Sequence, residues 1–263
     1  YLDVAKDRLY ISAVDDPRRR SCQTVLRACL EGFAKAVAPV LPHMAEDIWQ
    51  NLPYDRPSSS DETESVFEGG FPSELREFPE VDADTWDLVR NLRDDANKAL
   101  ENARADKLVG ASLDAAAYVH ASDPAVRTIL DGLSGDVDLL SPPVKTNGVD
   151  DLRTALMISQ VHLVDSAEDV SSACDERYVT SADDGNNKSG CTVGVTKAAG
   201  HKCGRCWFYD ETVGSDAAGG RRGPDLCQRC DEAIGSWEEA TGNTFEMPEP
   251  EPAAKEEAAE PVA

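Results

Sequence analysis

Four of the eight cysteines fall into two matched pairs, Cys203-Gly204-Arg205-Cys206 and Cys227-Gln228-Arg229-Cys230, in a C-x2-C-x20-C-x2-C spacing. Each pair can turn two thiolates to one side of a tight knuckle, and two knuckles supply four soft ligands to one tetrahedral ion. Disulfides, a thioredoxin-like redox pair, or iron in place of zinc would use the same residue types. The amino end shows no charged and then apolar leader, which argues against an oxidising compartment. Two matched pairs also fit a metal better than one redox couple, so Cys203, Cys206, Cys227 and Cys230 are expected to hold zinc. A shell closed by four cysteines has no open position, so this ion should support folding rather than catalysis. His201, two residues before Cys203, is not needed as a ligand.

Around the pairs lie Lys202, Arg205, Arg221, Arg222 and Arg229, and Trp207, Phe208 and Tyr209 follow the first pair directly. Cations interleaved with aromatics suit a phosphate backbone and unstacked bases. The competing reading makes the aromatics the small core of the module, and it weighs more for Phe208 and Tyr209 than for Trp207. Trp207 and Arg205 are therefore the expected base-side contacts, with Arg221, Arg222 and Arg229 on phosphates. Lys6, Arg8, Arg18, Arg19 and Arg20 form a second group; a solvated helix face, or ion pairs to Asp15, Asp16 or Glu31, would explain them equally. No carboxylate pair and no Ser/His/Asp arrangement stands out, so no catalytic residue is assigned. Asn187-Lys188-Ser189 matches a glycosylation sequon, which carries no information without secretion.

Composition limits the partners. The 263 residues carry 26 Lys+Arg against 50 Asp+Glu, a formal net charge of −24, which argues against nonspecific coating of nucleic acid. The acid is concentrated between Asp55 and Arg90 and after Asp231, whereas the first fifty residues are balanced. A 41% hydrophobic fraction is enough to build cores, and no apolar run is long enough to span a bilayer. A first residue of Tyr rather than Met suggests a carboxy-terminal piece of something longer.

The elements that must position these residues follow from periodicity. Leu2, Ala5 and Leu9 mark one helix, and Asp15-Asp16-Pro17 supplies a break and an N-cap. Leu26, Leu30, Phe33 and Val37 mark a second helix, with Cys29 as a small buried residue, ended by Pro39 and Pro42. Met44, Ile48, Trp49 and Leu52 line a third. Short connections between three amphipathic helices predict an antiparallel bundle. Residues 53–84, rich in Pro, Ser and acid, read as an insertion or crossover. Trp86, Val89, Leu92, Ala96, Leu100 and Ala103 mark a long fourth helix. The period then changes: residues 113–119 alternate, a helix is expected from Pro124 to Leu133, and residues 156–164 read as a strand. The expected architecture is thus mainly α, with helical residues 1–107, a small α+β unit at 108–165, a polar linker at 166–190, a cysteine module at 191–237 and an acidic, disordered tail at 238–263.

Ordered blocks along the chain resemble bacterial-type isoleucyl-tRNA synthetases. They include residues 1–10, Arg-Arg-Ser-Cys-Gln-Thr-Val-Leu at 19–26, Leu-Pro-His-Met-Ala-Glu-Asp-Ile-Trp-Gln at 41–50 and residues 92–101. Leu-Val-Gly-Ala-Ser-Leu-Asp-Ala at 108–115, Met-Ile-Ser-Gln-Val at 157–161, Gly-His-Lys-Cys-Gly-Arg-Cys-Trp at 200–207 and Leu-Cys-Gln-Arg-Cys at 226–230 complete the series. The resemblance implies a helical anticodon-binding domain, a small α+β extension and a zinc ribbon or knuckle that approaches the anticodon stem-loop of isoleucine tRNA. It further implies an enzyme that activates isoleucine with ATP and transfers it to tRNA. The His-Ile-Gly-His and Lys-Met-Ser-Lys-Ser signatures are absent from this sequence. Upstream catalytic and editing domains would therefore be its covalent partners, in a monomer. The cytoplasm is the expected compartment, with a mitochondrion or plastid as the alternative suggested by the acidic insertion and tail. A free-standing zinc-ribbon protein that binds RNA or protein is the competing reading, and a DNA-binding finger like those of repair glycosylases is a third.

Overall fold

A computed structural model describes residues 2–54, 64–72, 83–134, 152–214 and 222–246 of the chain. Three consecutive helices open it: α1 (Leu2–Tyr10), α2 (Pro17–Val37) and α3 (Pro42–Gln50). The Asp16 carboxylate accepts the Arg18 N–H at 2.8 Å, and Pro17 occupies the first turn of α2, where it removes a donor that would otherwise be unpaired. α1 packs on α2, and α2 on α3. The contact is made by small side chains: Ala34, Ala38 and Ala45 bury with Trp49 and Val66, while Phe33 and Met44 are 53% and 42% exposed. The expected stripe is thus shifted toward the alanines, which let the helices approach closely. By the same shift Cys22 is buried and Cys29, expected inside, is exposed.

Val66 belongs to the segment read as an insertion. Residues 64–72 return to α3, where the Glu46 carboxylate accepts the Ser65 hydroxyl at 2.9 Å and the Val66 N–H at 3.0 Å. The rest of that insertion, at 55–63 and 73–82, lies outside the described residues.

The long helix α4 (Ala83–Ala105) buries Val89, Leu92, Ala96, Ala99, Leu100 and Ala103. These residues share one core with β1 (Ala115–Ala121), α5 (Pro124–Ser134), α6 (Leu152–Leu156) and strands that follow. The helical domain expected at 1–107 includes α4 with the first three helices, but the apolar face of α4 is spent on the sheet. That sheet also contains β2 (Gln160–Leu163), β3 (Val179–Thr180) and β4 (Cys191–Lys197), in the order β2-β1-β4-β3. β1 and β2 are parallel, and β4 runs antiparallel to both of its neighbours. The apolar run at 156–164 is split, its start closing α6 and its end forming β2.

Residues 166–190 are not a linker. They contain α7 (Ala167–Ala173), a 3-10 turn at Glu176–Tyr178 and β3. Ser166 and Asp169 form a capping box that starts α7, a signal present in the sequence and outweighed there by polarity. Val170 and Cys174 then press on β4 at Gly194, where a Cβ would come within 2.7 Å of Val170 Cγ1 and 2.9 Å of the Cys174 sulfur. β4, placed by the sequence reading in the cysteine module, is a central strand of the main sheet. The chain continues through a short hairpin, β5 (His201–Lys202) and β6 (Tyr209–Asp210), to α8 (Gln228–Thr241). α8 runs past the expected module end at 237 and stops at Gly242, whose φ of 71° suits a left-handed cap. The tail from 247 lies outside the described residues.

One buried carboxylate fastens α4 to the approach of β4. Asp95, fully buried, accepts Lys98 Nζ at 2.8 Å, the Lys188 N–H at 3.1 Å and the Ser189 N–H at 2.9 Å. The sequon residue Asn187 is occupied in the same loop, donating to the Cys191 carbonyl at 2.8 Å. Burial pushes the Asp95 carboxyl up, but the bonds from Lys98, Ser189 and Lys188 more than offset this and hold it below its usual range. A folded value below the unfolded one means the contribution is complete above about pH 4 and fades as pH falls through the folded value. Asp95→Ala should cost roughly 2–4 kcal/mol of unfolding free energy at neutral pH, because it strands the buried Ser189 N–H and the part-buried Lys188 N–H. Urea melts should show this gap narrowing below pH 4; a gap that holds constant into acid would contradict the assignment.

Candidate metal centre

The first cysteine pair sits in the turn of the β5–β6 hairpin. Its strands pair His201 with Asp210 and Lys202 with Tyr209, and the turn is closed by Cys203 N–H to Phe208 O at 2.9 Å and Trp207 N–H to Cys203 O at 3.0 Å. Gly200 enters the hairpin at a φ of 80°, with no room for a Cβ, which would meet the Asp210 backbone at 2.5 Å. The second pair starts α8: Cys227 is its N-cap residue and Cys230 lies in its first turn. The two halves are tied by Gly204 N–H to Asp225 O at 2.8 Å and by the Cys227 N–H, 3.4 Å from the Cys203 sulfur.

These constraints converge four sulfurs. Cys203, Cys206, Cys227 and Cys230 are all buried, and their sulfurs lie within 4.8 Å of one another. The Cys206 and Cys227 sulfurs are 3.7 Å apart. A tetrahedral ion with arms of about 2.3 Å separates its sulfurs by about 3.8 Å, whereas a disulfide needs about 2.05 Å. The donor set therefore fits a resident metal and does not fit a pair of disulfides. The thiols also perturb one another. Hydrogen bonds from Cys206, Cys227 and Cys230 hold Cys203 far below its usual range, while Cys203 drives Cys206 and Cys227 upward. Four thiolates can share this pocket only with a cation among them.

The module has a small apolar core of its own. Phe208, Val213, Leu226 and Ile234 bury with the cysteines, and Ile11, Leu113 and Phe245 pack against them. Phe208 is thus a core residue, 8% exposed, as the competing reading had it. Tyr209 is half-buried, and its N–H donates to Ser159 Oγ at 2.8 Å, joining the hairpin to the sheet unit. Trp207 is different: it is 62% exposed, and its φ of 67° lies in the left-handed region. Lys202 Nζ stands 5.6 Å from the centre of its ring.

The arginines divide. Arg205 turns inward, with Nη1 2.7 Å from Ile11 O and 3.7 Å from the Cys230 sulfur, and Nη2 3.0 Å from Tyr10 O. Arg229 pairs with Asp7 at 2.6 and 3.0 Å, its side chain 16% exposed. Burial works against its charge, but Asp7 and the sulfurs of Cys206 and Cys230 keep it protonated. Arg222 bonds Glu238 at 2.5 Å and lies 3.5 Å from Asp231, which ties the loop to α8. Arg221 lies outside the described residues. At the start of the chain Arg18 is paired with Asp16 and nearly buried, the Nε of Arg19 is buried without a hydrogen-bond partner, and Arg8 is half-buried. Lys6 and Arg20 face solvent, Lys6 at 3.3 Å from Asp3. The basic side chains the sequence grouped together thus do not form one continuous cationic surface among the described residues. Lys202, one of the cations around the cysteines but not among the contacts expected from sequence, is the one beside Trp207, and no local pattern in the sequence singles it out.

Comparison with known proteins supplies the context. The family model for the anticodon-binding domain of tRNA ligase matches residues 1–119. The chain is 44% identical over 236 residues to isoleucine-tRNA ligase of Nostoc sp., and 43% identical over 241 residues to that of Thermosynechococcus vestitus. It is 43% identical over 236 residues to that of Rippkaea orientalis. Each alignment covers 89% of this chain and 22% of the relative, so the chain spans about a fifth of the length of the relatives it matches.

Thiol accessibility tests the metal centre directly. At pH 8 the metal-loaded chain should expose Cys29 to a thiol reagent at once, and a strong chelator should release the four clustered cysteines in addition. Cys174 and Cys191 should stay slow throughout, because burial pushes both thiols up to about 11. Clustered thiols that react before chelation as fast as after it would remove the metal from this site.

Proposed function

The chain is a homologue of isoleucine-tRNA ligases, and on that premise we propose that it is the tRNA-recognising, carboxy-terminal part of such an enzyme. In this reading the whole protein activates isoleucine with ATP and passes it to isoleucine tRNA, using catalytic and editing domains that are not among these 263 residues. α1–α3 belong to the anticodon-binding domain, and the four cysteines hold a structural zinc in a small ribbon beside it. No residue of this chain is assigned to the chemical steps.

The observation that carries the reading is Trp207. A bulky residue in the left-handed region costs roughly 1–2 kcal/mol, and this one gains little burial in return, since 62% of it faces solvent. The hydrogen bonds that close the cysteine turn hold it there. A rigid, outward-facing indole beside a lysine offers a stacking face and a positive charge together, which is what an unpaired base and its phosphate require. Among the described residues, Arg20 and Lys6, exposed on the helical part, are the candidates for phosphate contacts that face solvent in the sequence-derived set. Arg205, Arg222 and Arg229 are bound to groups of this chain and do not serve that role in this reading.

The acidic character is compatible with this function. A net charge of −24 repels nucleic acid in general, so binding must come from local contacts and should be selective. Binding of the chain to isoleucine tRNA, a noncognate tRNA and duplex DNA across a salt series separates specific from nonspecific association. Isoleucine tRNA should bind more tightly than the other two at every salt concentration. Trp207→Ala should weaken its binding by roughly 1–3 kcal/mol, with metal content unchanged. Equal affinity for the three nucleic acids would reject the reading, and unchanged affinity in the folded, metal-loaded variant would remove Trp207 from it.

A further inference from the structure

Two guanidiniums lie between the clustered sulfurs and the end of α1, and the tRNA reading does not use them. Nη1 of Arg205 stands 3.7 Å from the Cys230 sulfur and 2.7 Å from Ile11 O, while Nη2 reaches Tyr10 O at 3.0 Å. These carbonyls are at the carboxy-terminal end of α1, where the helix leaves acceptors unpaired and carries partial negative charge. Arg229 occupies the position just before Cys230, packs over Phe208 with its Cζ 5.6 Å from the ring centre, and forms a two-point pair with Asp7 in the last turn of α1. Asp7 is itself 13% exposed, so both partners of this pair are largely out of water. Ile11, just past α1, is packed on the core of the cysteine module.

We propose that Arg205 and Arg229 are positioning residues that make metal binding and docking of the cysteine module on α1 a single linked equilibrium. The proposal rests on the four-cysteine metal site and not on the tRNA reading. Four thiolates around a divalent ion leave an excess of two negative charges in a buried pocket, and such charge is costly unless compensated. The guanidiniums supply two positive charges at the sulfur cluster and hold the same helix end through Asp7, Tyr10 O and Ile11 O. Without the ion nothing draws the four sulfurs together, so the Cys230 sulfur is no longer fixed 3.7 Å from Nη1 of Arg205 and the bridge from the cysteine module to α1 loosens. By reciprocity, whatever factor the metal adds to docking, docking adds to metal affinity.

The experiment uses the whole chain and zinc ion. Zinc affinity is measured by competition with a chromophoric chelator, and hydrogen exchange at Ile11 and Ser12, whose amides bond to Asp7 O, is followed with and without zinc. Arg205→Met should weaken zinc binding by about 10- to 100-fold, the range for groups that orient metal ligands from outside the first shell. Arg229→Met alone strands a buried carboxylate and could unfold the chain, so the double variant Asp7→Asn, Arg229→Met removes both charges and keeps the volume. It should fold, bind zinc more weakly and lose the response of the Ile11 and Ser12 amides to zinc. Arg90→Gln, which removes a charge on an exposed face of α4, should leave zinc affinity unchanged. Zinc affinity within twofold of the parent chain in both inward variants, or exchange at Ile11 and Ser12 that ignores zinc, overturns the linkage while leaving the metal site standing. A parent chain that binds no zinc overturns the metal site and the linkage together.

Discussion

A buried cluster of four cysteine sulfurs is electrostatically untenable as thiolates without a cation, and the carboxy-terminal part of the described chain is arranged around that constraint. The β5–β6 hairpin and the start of α8 share few apolar contacts; Phe208, Val213, Leu226 and Ile234 are most of what they bury apart from the cysteines. A module this small falls well below the size at which a hydrophobic core suffices, so a metal is the expected supplement. Once the sulfurs are gathered, the backbone between them is fixed too, and Trp207 inherits its conformation from the turn that serves Cys203 and Cys206. The exposed indole is thus a consequence of the cysteine turn and not of any packing that the indole itself makes.

How much of this is legible in the sequence differs from element to element, and the differences have physical causes. The spacing of the cysteines identifies their cluster because a C-x-x-C turn is a local structure. Asp16-Pro17 marks the start of α2 for the same reason, and the apolar period of α4 is long enough to be unambiguous. β4 is harder to read. Its pattern, Cys191-Thr192-Val193-Gly194-Val195-Thr196, is rich in β-branched residues, but its partner β1 lies far upstream and a polar segment precedes it. The capping box at Ser166 and Asp169 is likewise present in the sequence and hidden by the polarity around it.

The orientation of the arginines does not follow from spacing. Arg205 and Arg229 sit inside the two cysteine pairs, and nothing local distinguishes a guanidinium that faces solvent from one that faces α1. What decides is Asp7 and the carbonyls of Tyr10 and Ile11, nearly the whole chain away. Cations near a metal knuckle thus suggest nucleic acid from composition alone, and the tertiary partners reassign most of them. Phe208 behaves in the same way: its aromatic character is explained by the core it fills, whereas Tyr209 is half-buried and Trp207 is the most exposed of the three.

The two halves of the molecule are consequently related by more than chain connection. Helical residues at the start of the chain supply the carboxylate and carbonyls that hold the cysteine module, and Ser159 from the sheet unit accepts the Tyr209 N–H from the other side. The hairpin that displays Trp207 is therefore held at both flanks. A stacking residue gains binding free energy only to the extent that its position is fixed before the base arrives, because any ordering done on binding subtracts from the contact. An indole fixed by a metal turn, on a hairpin held by α1 and the sheet, meets that condition without a large basic surface. In the proposed reading, that is how a chain with a net charge of −24 would contact an anionic partner at one place while repelling it elsewhere.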